Sequence, residues 1–185
     1  GAKEPASYIA MEGLTRVTLN LTPNDAVFVV FAGPNKYTMF GAPSKSESTL
    51  MKLEGPWTVH FQADRGAPAS ATFDKLTDWT NHADPGIKYF SGTGTYLKTI
   101  KVDAKDLAKG QTWIDLGVVK DLAEVYVNGK SAGITWKAPY RVNVSGLLKA
   151  GDNKIEIEVV DRWVNRLIGD AQPGAAKITY TTMPF

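Results

Sequence analysis

Apolar and polar positions alternate along much of this chain. Trp57, Val59 and Phe61 alternate with Thr58, His60 and Gln62. Ala123, Val125 and Val127 alternate with Leu122, Glu124 and Tyr126, and Ile155, Ile157 and Val159 with Lys154, Glu156 and Glu158. A two-residue repeat sends one set of side chains to each face, as in a half-buried antiparallel strand. Runs 15–21, 26–32, 69–76, 95–102, 112–116, 140–144 and 177–182 also read as strands. A helical reading fits only 103–109 (DAKDLAK), which Gly110 closes.

Turn residues separate these runs. Asn128-Gly129 directly follows a strand and is a strong hairpin signal. The stretch Lys149-Ala-Gly-Asp-Asn153 ends one element and begins the next. Roughly nine or ten short strands at this spacing predict an all-β fold, a jelly-roll β-sandwich. Residues 33–49, rich in Gly, Pro, Ser and Lys and without a period, divide the chain. The expected organisation is leading strands and a linker over 1–48, then a sandwich over 49–185. A long loop within one domain is the alternative.

Composition narrows the function. The 185 residues are 43% hydrophobic and 22% charged, ordinary for a globular chain with a real core. The run 26–33 is the longest uncharged apolar stretch, far short of the ~20 residues of a membrane helix. Net charge is +2 with no basic block, so phosphate-driven binding of nucleic acid is not expected. With no cysteine there are no disulfides, zinc thiolates or thiol nucleophiles. The two histidines, His60 and His82, lie in different settings, and no metalloprotease or serine-hydrolase motif occurs. Glu124, Glu156 and Glu158 alternate with core positions, so they read as a solvated sheet face rather than as a catalytic pair.

The tryptophans carry more information. Trp57 and Trp113 lie on strands, where core packing is the simpler reading. Trp79, Trp136 and Trp163 fall in polar connections. The segment Asp161-Arg-Trp-Val-Asn-Arg-Leu-Ile-Gly-Asp170 reads as a loop combining an aromatic ring with Asn, Arg and Asp. Indole stacks on the flat C–H face of a sugar ring while polar side chains bond its hydroxyls, so carbohydrate is the expected ligand. Loop-anchoring salt bridges would use nearly the same residues. Within the loop, Asp161 and Arg162 read as a scaffold pair, and Arg166 and Asp170 as outward groups.

Several motifs in order resemble a known family. They are Tyr89-Phe-Ser-Gly-Thr-Gly-Thr-Tyr96, Asp115 to Lys130, Trp136 with Pro139-Tyr-Arg141, and Gly151-Asp-Asn153 before an alternating strand. Together these resemble the sugar-binding, galactose-binding-like β-sandwich of glycoside hydrolase family 2. Asn165-Arg-Leu-Ile-Gly-Asp170 is similar to the version in family 106 α-L-rhamnosidases and related polysaccharide-degrading enzymes. Residues 14–31 resemble a segment that closes a preceding module there. The resemblance implies a non-catalytic carbohydrate-binding module of a secreted or periplasmic bacterial enzyme. Its partners would be a plant polysaccharide or oligosaccharide and the parent's catalytic domain, with no nucleic acid, no membrane and a monomeric state. The rivals are a sandwich that only buttresses a catalytic domain and, less favoured, a small hydrolase. No catalytic acid of the family has a counterpart here. Loop positions that can reach the sugar in family 2 relatives match 84–91 and 161–170. The candidate sugar contacts in these loops are Trp163, Asn165, Arg166, Asp170, Tyr89 and Asp84, with Trp136 as the alternative stacking ring. A structural calcium on loop carbonyls and one or two carboxylates is the cofactor that such sandwiches often hold.

Overall fold

Strands β1 (Ser7–Met11) and β2 (Leu14–Thr18) pair through a turn in which Glu12 and Gly13 both have positive φ, 51° and 77°. In the computed structural model, residues 3–108 and 110–180 are described. They fall into two compact units divided after Leu50. In the first, β3 (Met39–Phe40) adds to the other edge of β1.

Residues 26–32, expected as a strand, pair with nothing among the described residues. Val27, Phe28, Val29, Val30 and Phe31 are 53, 96, 43, 69 and 71% exposed. The run is apolar at successive positions, so no face is marked as inward, and its propensity finds no ladder here.

The second unit contains β4 (Trp57–Phe61), β5 (Ser70–Phe73), β6 (Thr93–Val102), β7 (Trp113–Asp115), β8 (Leu122–Val127), β9 (Lys130–Thr135), β10 (Arg141–Asn143) and β11 (Gly151–Val160). Short helices α1 (Pro85–Lys88), α2 (Ala104–Leu107) and α3 (Val164–Asp170) sit in the connections. Six strands form one antiparallel sheet in the order β5-β4-β6-β11-β8-β9, and β10 pairs with β7 in a second layer. Strand covers 33% of the described residues and helix 10%, so the fold is an all-β sandwich. The alternating residues fill its core. Val59, Ala123, Val125, Val127, Ile155 and Ile157 of the large sheet meet Ile114 and Val142 of the small one.

Asn128-Gly129 makes the expected hairpin, with φ of 53° and 79° as a type I′ turn requires. Asn153 is fully buried at the opposite end of β11 from α3. Its amide donates to the carbonyls of Lys149 (2.7 Å) and Gly151 (2.9 Å) and accepts from Lys149 N–H and Asn128 Nδ2. With these groups paired, the cost of burying a polar side chain is avoided.

Two tryptophans correct the reading from sequence. Trp79 is buried: its ring packs edge-on against Phe61 (5.8 Å) and Phe90 (5.2 Å), and Nε1 donates to the Tyr96 hydroxyl at 2.6 Å. Space for it exists because β6 has Gly94 beneath the indole. A Cβ there would stand 2.6 Å from Cζ2. Trp113 instead is 44% exposed, with the Arg141 guanidinium 5.7 Å from its ring. The strand 177–182 is also absent over 177–180, and Thr181 and Thr182 lie outside the described residues. Lys109 of the expected helix likewise lies outside them, and α2 covers only part of that run.

Gly94→Ala should therefore displace Trp79 and lower stability by about 1–3 kcal/mol, the usual cost of overpacking. Denaturant unfolding followed by tryptophan fluorescence measures the loss. A variant as stable as the parent would contradict this packing.

Candidate functional site

Strand register brings a set of chain segments to one end of the large sheet. β4 ends and β5 begins there, because His60 pairs with Ser70 and Phe61 with Gly94. β6 begins and β11 ends there, since Thr93 pairs with Val160. β8 begins there opposite Val160, and β9 ends there with Thr135 opposite Ala123. Residues 62–69, 92, 121, 136 and 161–163 consequently share this edge. Hydrogen bonds extend the pairing past the strands: Asp161 N–H donates to the Gly92 carbonyl (3.1 Å), and Gln62 N–H to that of Thr93 (3.0 Å).

Two expected aromatics stand out from this end. Trp163 is 54% exposed and Trp136 is 62% exposed. β9 lies two strands from β11, about 10 Å across the sheet. Arg65, from the β4–β5 connection, lies over Trp163 with its guanidinium carbon 4.6 Å from the ring centroid. Nothing in the sequence marked Arg65, because its partner is 98 positions away and only the register joins them.

The loop expected over 161–170 is largely helix α3, and three of its candidates turn inward. Asn165 Nδ2 donates to the carbonyls of Lys88 (2.7 Å) and Phe90 (3.0 Å), which uses both amide hydrogens. Arg166 and Asp170 are each 6% exposed and pair at 3.0 Å. One helical turn separates them, which places them on one face, and that face packs on the sandwich. Arg166 N–H also donates to Ser91 Oγ (2.9 Å). The placement of Arg166 and Asp170 as outward groups is corrected accordingly.

Asp170 is held by several donors. Its carboxylate accepts from the N–H groups of Ile178 (3.1 Å) and Thr179 (2.8 Å) and from the Thr179 hydroxyl (2.6 Å). Burial opposes its ionisation, but the Thr179 and Ile178 bonds and the Arg166 charge outweigh burial and hold the carboxyl below its ordinary value. Gly169 lets α3 approach, since a Cβ there would meet Arg166 Nη2 and Tyr89 Cβ, each at 2.5 Å.

Tyr89 is half-buried against that glycine and ends α1. Asp84 begins α1, its Oδ1 accepting from Gly86 N–H at 2.7 Å. Both keep exposed atoms, but each already has a local structural task.

The expected scaffold pair is rearranged. Arg162 Nε reaches Asp121 at 2.8 Å, while Asp161 accepts from Arg162 N–H at 2.7 Å. Desolvation pushes the Asp161 carboxyl up; the Arg162 N–H opposes this and the Asp121 charge adds to it. Among the described residues no three His, Asp or Glu side chains gather as metal ligands.

Arg166→Ala should remove the cation from a buried carboxylate and destabilise the fold by about 3–5 kcal/mol at neutral pH. Asp170 titrates below its ordinary 3.8 in the folded state. Its stabilisation is therefore complete above that ordinary value and is lost as pH falls through the lowered one. The melting temperature of the parent should drop steeply in that acid window, and that of Asp170→Asn less so. Equal acid slopes would remove Asp170 from this role.

Known proteins resemble this chain. The profile of the glycosyl hydrolases family 2 sugar binding domain matches residues 46–173. A protein of Formosa agariphila, provisionally named a beta-glucuronidase, is 44% identical over 127 residues, 68% of this chain and 11% of its own. The rhamnosidase of Novosphingobium sp. PP1Y superposes with a TM-score of 0.89 at 47% identity, covering 98% of this chain and 17% of that one. The beta-D-glucuronidase of Dictyoglomus thermophilum has a TM-score of 0.51 at 22% identity over 64% of this chain and 21% of its own, a likeness of fold alone. The chain thus spans a small fraction of the proteins it matches. It belongs to the sugar binding domain family of glycosyl hydrolases family 2.

Proposed function

We propose that this domain binds a glycan at the Trp163 end of its large sheet, as the accessory module of a polysaccharide-degrading enzyme resembling an α-L-rhamnosidase. One observation carries the reading. Two tryptophans, 54 and 62% exposed, stand at the same end of the sheet in a chain of a sugar-binding family. Exposed indoles lose little by meeting water-stripped C–H faces, and flat ring contact suits both. The rhamnosidase-like parent is supported by the likeness over nearly the whole chain. Plant cell-wall polysaccharide as the target rests on the family resemblance.

A second reading has its own support. Residues 27–31 expose a continuous apolar run in the first unit, as a segment does when it packs on another domain. In that case the sandwich buttresses a catalytic domain and holds no sugar by itself.

Trp163→Ala separates the two. On a glycan array of plant-wall oligosaccharides, followed by calorimetry on the hits, the parent should bind and the variant should bind about tenfold more weakly or less. Its melting temperature should stay near the parent's, because the ring is exposed and α3 has no side-chain cap from it. Absence of any glycan hit for the parent would favour the buttress.

A further inference from the structure

We infer that Arg65, whose guanidinium lies over the Trp163 ring, makes this end of the sheet selective for sugars that carry a carboxylate, the uronates. The inference rests on the glycan-binding reading above and names its ligand class.

Residues 51–180 contain the arginines Arg65, Arg141, Arg162 and Arg166. Arg162 and Arg166 are matched to Asp121 and Asp170 at 2.8 and 3.0 Å, and Arg141 lies 3.8 Å from Asp115. Arg65 differs: among the described residues its contact is the Trp163 ring, and no carboxylate pairs with it. Leaving a guanidinium on an exposed indole, without an acid to neutralise it, serves recognition better than it serves the fold.

The backbone is arranged to hold it there. The Arg65 stem runs beside Gly92, where a Cβ would stand 2.7 Å from Gln62 Oε1 and 3.7 Å from Arg65 Cγ, at a φ of 141° that favours glycine. The Gly92 carbonyl accepts from Asp161 N–H, which fixes the exit of β11 and with it Trp163. The two side chains thus rest on one hydrogen-bonded frame.

Contact with the ring holds the guanidinium beside the indole, and no protein acceptor among the described residues takes its N–H groups. Parallel N–H donors match the two oxygens of a carboxylate, and such charge-assisted pairs are about twice as strong as neutral ones. A neutral sugar on the same indole would gain the ring contact and only ordinary hydrogen bonds. Repulsion from the nearby Asp121 is lessened by its pairing with Arg162.

The test uses the full chain with two acidic probes, a short oligogalacturonate and a glucuronate-bearing xylan oligosaccharide. Each is compared with its carboxyl-reduced form, which keeps every stereocentre and loses the charge. Calorimetry at low salt should show an acidic probe bound about tenfold more tightly than its reduced partner. Arg65→Gln should erase that preference, weakening the acidic form far more than the reduced form at an unchanged melting temperature, and Arg65→Lys should restore only part of it. Equal affinity for both forms in the parent overturns the inference and leaves the glycan reading standing. A preference that survives Arg65→Gln overturns it as well. If no probe of either form binds, and the glycan array is also blank, the glycan reading falls and this inference with it.

Discussion

The pairing of β6 with β11 runs over ten residues on each strand, from Thr93–Val160 to Val102–Gly151, and sets the coordinates of nearly everything else. On either side, β4 and β8 take their register from it. At one end Asn153 closes the turn into β11. At the other, one further bond from Asp161 to Gly92 carries the register into the connections. A slip by one residue would turn Ile155 and Ile157 outward and move Trp163 away from Arg65 in the same step. Core and site are therefore consequences of a single alignment.

Helix α3 shows how charge is used inside this sandwich. A buried ion pair is weak evidence for stability, because desolvating both ions cancels much of their attraction. Here the extra donors from Ile178 and Thr179 shift the balance and tie the following segment back to the helix. Arg166 and Asp170, both buried, act as a fastener for α3 rather than as exposed ligand contacts. The cations that face outward near Trp163 come from other segments.

Alternation in the sequence makes the large sheet legible. Trp57, Val59, Phe61 and Ala123, Val125, Val127 are buried as their spacing implied, and Asn128-Gly129 marked its hairpin. What escaped depends on distant partners. Trp79 looked like a loop aromatic because the glycine that admits it lies on β6. Helix α3 was hidden because Trp163 at its start makes no side-chain cap and seven residues give little period. Residues 26–32 have the composition of a strand, but a ladder needs a second chain segment, which composition does not supply. Arg65 sits in an ordinary polar turn and acquires its meaning from a ring on another strand's exit.

The fasteners around α3 share one property: they grip main chain. Asn165 holds the carbonyls of Lys88 and Phe90, and Asp170 holds the N–H groups of Ile178 and Thr179. Carbonyl and amide groups are the same whatever side chain they bear. Lys88 and Ile178 are thus gripped without regard to their side chains, whereas Phe90 is fixed by the core and Thr179 by its hydroxyl. A lineage could rewrite Lys88 or Ile178, and alter the relief around the ring, while its platform stays in place. Fixed anchorage and variable relief are the conditions under which one scaffold comes to serve many ligands.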